Sequence, residues 1–217
     1  ASEHSHNKGA IQLVAQHVAL AKQKLANHDK PGWELHIVGH SAGSIFAAHA
    51  LPLLASLGLP LKSVQFLAPA IRIDTFRNLL LPGLKAGQTP LPSLYILSDK
   101  LERDDSVGPY GKSLLYLVSN AFEGTRDVPS LGRQACLDAD AELNRLFDGR
   151  VDGRPALVVS EGIPIDPAQA PAAIARGASI SHSHGGFDND CATMNSVLTR
   201  VLDGAPGRPF TARDLNY

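Results

Sequence analysis

The chain has 217 residues, 44% of them hydrophobic, enough to bury one sizeable core, and no compositional break divides it, so one domain is expected. A net charge of −1, with no clustered Lys/Arg and aromatic residues, argues against a nucleic-acid partner, and no apolar run is long enough to span a bilayer. The two cysteines, Cys136 and Cys191, are too few for a disulfide framework and leave the compartment open.

Ile11, Val14, Val18, Ala21 and Leu25 recur at helical spacing, with Lys22, Gln23 and Lys24 on the other face. This spacing predicts an amphipathic helix over 9–27 that ends within 27–32. Residues 34–38 read as a short buried strand, and 44–51 as a helix whose small residues Ala47 and Ala48 suit packing on a sheet. A second strand is expected at 63–67, stopped at Pro69. Asp74 can cap a helix running through Phe76, Leu79 and Leu80 to Pro82. A third strand is expected at 93–98, helices at 112–122 and 136–147, a fourth strand at 156–160 and a closing helix at 191–202. Residues 123–155, rich in Gly, Asp and Arg, are a candidate cap segment. The alternation predicts a doubly wound, mostly parallel α/β sheet, whose active site lies beyond the carboxyl ends of the strands.

Between the first strand and its helix stands Gly39-His40-Ser41-Ala42-Gly43. A G-x-S-x-G turn between strand and helix is the pattern of a nucleophile elbow, which pushes the serine hydroxyl out where a base and a substrate carbonyl both reach it. The glycines allow strand and helix to approach around a strained residue. The plainer alternative is a strand-to-helix turn with a structural serine. A serine hydroxyl needs a base, usually histidine, oriented by a carboxylate, and after an elbow the chain order is acid, then histidine. His4, His6, His17, His28, His36 and His40 precede Ser41, and His49 follows it directly, which leaves His182 and His184 in the loop after the fourth strand. His184 is preferred because Gly185 and Gly186 let the backbone turn its ring toward the sheet; His182 reads as a solvated loop residue. For the acid, Asp99 stands immediately past the third strand and is favoured, with Asp105 as its rival. Asp104 and Asp105 equally suit the cap of the following helix.

Val38-Gly-His-Ser-Ala-Gly43, the strand end Phe66-Leu-Ala-Pro-Ala70, Leu97-Ser-Asp99 and His184-Gly-Gly-Phe187 together resemble the carboxy-terminal part of an α/β-hydrolase of the esterase/lipase type. The resemblance implies a Ser41–His184–Asp99 mechanism with an acyl-serine intermediate, a small-molecule acyl substrate and no cofactor. It also implies an oxyanion donor at the backbone N–H of Ala42. The chain departs from the family before Ser41: residues 1–33 hold one helix and no clear strand, where the family has several strands and the loop carrying the second oxyanion donor. The chain is therefore expected to lack the amino-terminal strands of the sheet. Either it is a fragment whose missing amino-terminal part supplies them, which is the favoured reading, or another polypeptide does, or the fold is reduced.

Two other readings stand beside this one. His182, His184, Asp188 and Asp190 are residue types that ligate zinc or a non-haem metal at short spacing, although the aspartates also suit the cap of the final helix. A non-catalytic hydrolase-like binding module is the other, since fold does not fix function. Trp33 is expected to anchor the start of the first strand, Met194 to fill core, and His40 to line the pocket.

Overall fold

The computed structural model describes residues 9–25 and 33–215, so the helix end expected within 27–32 lies outside the described residues. Helix α1 (Ala10–Leu25) covers the amphipathic stretch and buries Ala15. Strand β1 (Leu35–His40) passes through Ser41 into α2 (Ala42–Ser56), which runs on through Pro52. Then come β2 (Leu61–Leu67), α3 (Ile73–Leu79), α4 (Leu81–Lys85) and β3 (Ser93–Leu97). The long connection that follows holds α5 (Asp99–Asp104), α6 (Leu114–Leu117) with a π-helical turn Val118–Phe122, α7 (Gln134–Asp138) and α8 (Ala141–Phe147). A small hairpin, β4 (Arg150–Val151) and β5 (Arg154–Pro155), leads into β6 (Leu157–Ser160). The chain closes with α9 (Ala170–Arg176), a 3-10 turn at His184–Gly186, α10 (Cys191–Leu202) and α11 (Ala212–Leu215).

The main sheet is parallel throughout, in the order β1-β2-β3-β6, and helices cover both of its faces. Side chains alternate across it as the pleat requires. Val64, Phe66, Leu94 and Ile96 face a core shared with Ala48 and Leu51 of α2, Phe76 of α3 and Phe147 of α8. Leu67, Tyr95, Leu97 and Val158 face Phe187 and Val197 on the other side. Both faces being buried explains why these strands read as continuous apolar runs.

Several expected helices are differently cut, each for a local reason. The single helix expected at 136–147 is two, because Asp140 turns its carboxylate onto the N–H groups of Glu142 and Leu143 and starts a new helix. Pro82 opens α4 instead of only stopping α3, since a proline in the first turn lacks a donor the helix does not need there. Residues 99–104 form a helix the apolar pattern did not reveal, begun by the Ser98 side chain accepting the N–H of Leu101. The cap candidate 123–155 places Leu131, Leu137, Leu143 and Phe147 in the main core. At the other end of the sheet, β1 pairs only with β2 among the described strands, and Val38 and Phe46 are 47% and 60% exposed beside that edge.

Candidate active site

Ser41 joins β1 to α2 with φ 50° and ψ −116°, a left-handed conformation that an L-residue adopts only when its surroundings enforce it. Four hydrogen bonds enforce it here. The Ser41 N–H donates to the Leu67 carbonyl at 2.9 Å, and the Ser41 carbonyl accepts from the N–H groups of Ser44 and Ala70 and from the Ser44 hydroxyl at 2.7 Å. Gly39 is needed for the turn, because a Cβ there would stand 2.9 Å from the backbone of Gly43. Gly43 is not: a Cβ on it meets nothing within 4 Å.

His184 arrives from the far side of the sheet, after β6, and its Nε2 lies 2.8 Å from the Ser41 hydroxyl. The histidine is buried, and its own main chain is tied on both sides. Its N–H donates to Asp105 Oδ2 at 3.0 Å, and its carbonyl accepts from His40 Nε2 at 2.9 Å. Burial, reinforced by the His40 ring and only partly offset by Asp105, draws the imidazole from an ordinary 6.5 down to about 4. The ring is therefore neutral near pH 7 and able to take a proton from the serine. Its Nδ1 is buried with no hydrogen-bond partner.

The structure does not bring Asp99 to this histidine. Asp99 is the first residue of α5, and its carboxylate accepts from the Tyr116 hydroxyl and Arg103 Nε, both at 2.6 Å, while its N–H donates to Gln134. Burial raises its pKa, but these hydrogen bonds more than offset that and hold the carboxyl below the usual range. Asp105 comes six positions later, at the carboxyl end of α5, roughly 9 Å further along the helix axis. That displacement, invisible without the helix, is why the rival carboxylate is the one beside His184. Ala42 is the first residue of α2, so its N–H has no intrahelical carbonyl and points from the positive end of a helix dipole.

The four loop residues considered as metal ligands are directed apart. His182 is exposed, with its ring against Gly162. Asp190 caps α10 through Ala192 and Thr193 and also holds the Ile180 N–H, while Asp188 faces His40 at 3.7 Å. Among the described residues no three His, Cys, Asp or Glu side chains are grouped to hold a metal.

In sequence Glu102 is one more member of an acidic run, and nothing there marks it out. It is fully buried one turn before Asp105, accepts from the Ser113 hydroxyl, and has its other oxygen unpartnered. Burial, aided by Asp105 and opposed by the Ser113 bond, pushes its carboxyl up to about 7. No protein-family model matches the chain, and no curated protein or solved structure was found that does.

Proposed function

We propose that this chain is a serine hydrolase of the esterase/lipase type, built on an α/β-hydrolase-like sheet, that cleaves a carboxylic ester or related acyl bond. The observation that carries the reading is the 2.8 Å approach of a buried, neutral-biased His184 Nε2 to the hydroxyl of a serine held at positive φ. In the first half-reaction Ser41 Oγ attacks the acyl carbon and its proton passes to His184 Nε2. The oxyanion so formed faces the N–H of Ala42. Collapse breaks the bond to the leaving group, which takes the proton back from His184. Water then repeats the sequence on the acyl-serine and releases the acid. Asp105 is the carboxylate that orients His184 and favours its charged form; Asp99 belongs to a separate ion-pair network.

A second reading, a non-catalytic module of hydrolase-like shape, draws on one observation: the Nδ1 atom, which meets the acid in a working triad, has no partner. The two readings separate on reaction with a fluorophosphonate followed by peptide mapping. Hydrolysis requires an adduct on Ser41 that is absent in Ser41→Ala and strongly reduced in His184→Ala and Asp105→Asn. A folded protein that takes up no probe favours the binding module.

A further inference from the structure

The residue before the nucleophile makes a contact that chain order gives no reason to expect. His40 Nε2 lies 2.9 Å from the backbone carbonyl of His184. A carbonyl only accepts, so Nε2 must carry the proton. On the other side of the ring Nδ1 faces Asp188 Oδ2 at 3.7 Å, and the second Asp188 oxygen is buried without a partner. The His40 ring is packed 5.7 Å from the His184 ring and edge-on to buried Phe187 at 6.5 Å. The loop carrying His184 is thus gripped from the elbow itself.

We infer that His40, steadied by Asp188, is a positioning residue that clamps the His184 loop so that Nε2 meets the Ser41 hydroxyl. This rests on the hydrolase reading for its consequence, although not for its geometry. Asp105 holds the N–H of His184 and His40 holds its carbonyl, so the peptide groups on both sides of the base are held in place, and with them the Cα from which its ring reaches Ser41. Because His40 and Ser41 are adjacent, the clamp also ties the distance between nucleophile and base to the backbone of β1. Any charge on His40 additionally works against a second charge on His184.

The test compares wild type with His40→Leu, which removes the donor, His40→Gln, which keeps an N–H at similar reach, and Asp188→Asn. The rate of fluorophosphonate labelling at Ser41 is read beside the imidazole ¹⁵N resonances of His184, with circular dichroism as the check on folding. His40→Leu is expected to label about tenfold to hundredfold more slowly, the cost of a small misplacement at a reacting centre. It should also lose the Nε2 shift that reports the bond to Ser41. His40→Gln should recover most of both, and Asp188→Asn should fall between. A folded His40→Leu with wild-type labelling and an unchanged His184 spectrum overturns the clamp. So does a His40→Gln variant as impaired as His40→Leu, since the donor would then not be what matters. If wild type does not label, the hydrolase reading fails, while the His184 spectra of the variants still decide whether His40 holds the loop.

Discussion

Ser41 holds its backbone conformation at a structural cost. A non-glycine residue at φ 50° and ψ −116° costs on the order of 1–3 kcal/mol, part of which glycine would recover. Ser41→Gly is therefore expected to abolish labelling yet raise stability by roughly 1 kcal/mol, measured by denaturant unfolding. The opposite change, a stability loss above 1 kcal/mol, would mean that the His184 contact contributes more than the strain costs. His184 sets a pH signature. Its folded value of about 4 lies below the ordinary 6.5, so the unfolded chain takes up the proton first. The stability this residue contributes is complete above pH 6.5 and drains away as pH falls toward 4. The acid limb of Ser41 labelling should accordingly lie well below pH 6.5, and a midpoint at or above that value would contradict a buried, desolvated base. Asp105→Asn should slow labelling strongly and Asp99→Asn little, since only the first carboxylate touches His184.

At the scale of elements, α5 decides which carboxylate stands beside His184. Glu102 lies inside that helix with its carboxyl pushed from 4.5 to about 7, the reverse case to His184: the folded protein holds the proton more tightly than the unfolded chain. Stability from this site is present below about pH 4.5 and is lost as pH rises through 7. Glu102→Gln, which keeps an acceptor for Ser113 and has no proton to lose, should be more stable than wild type at pH 8 by an amount up to about 3 kcal/mol. The advantage should vanish by pH 4, which a pair of melting curves checks. The elbow makes a second prediction at this scale. Gly39→Ala forces β1 and α2 apart and should cost about 1–3 kcal/mol, the usual range for overpacking. Gly43→Ala, in the first turn of α2 with open space around it, should be neutral or stabilising by up to roughly 1 kcal/mol.

For the whole molecule the telling asymmetry is between the two ends of the sheet. Its interior strands are buried on both faces, but β1, which pairs only with β2 among the described residues, has exposed Val38 and Phe46 beside it, over an apolar groove of about 460 Å³ that Val14 also lines. An exposed apolar strand edge is a template for pairing. The chain is expected to self-associate as its concentration rises, and Val38→Lys, a charge on that edge, should suppress the association in sedimentation experiments. Equal association of both proteins would place the contact elsewhere. Among the described residues no helix is long and apolar enough to cross a membrane.

What the amino-acid order determined by itself is local. A strand, a G-x-S-x-G turn and a helix lie within some twenty consecutive residues, so Ser41 and its elbow were legible, as were four parallel strands whose apolar runs announce burial on both faces. His184 was reachable by elimination, because chain order left two histidines and glycines favoured one. What tertiary structure alone decided is which groups meet. The Asp99 and Asp105 carboxylates look alike in sequence; an unforeseen helix between them separates their side chains and gives one to Arg103 and Tyr116, the other to His184. His40 shows the same limit, since a bond between residues 144 positions apart exists only because the end of β1 and the loop after β6 converge at the carboxyl end of the sheet. Backbone periodicity and turn chemistry act over a few residues and leave a trace in the sequence, whereas the proximity of distant polar groups is set by how whole elements pack.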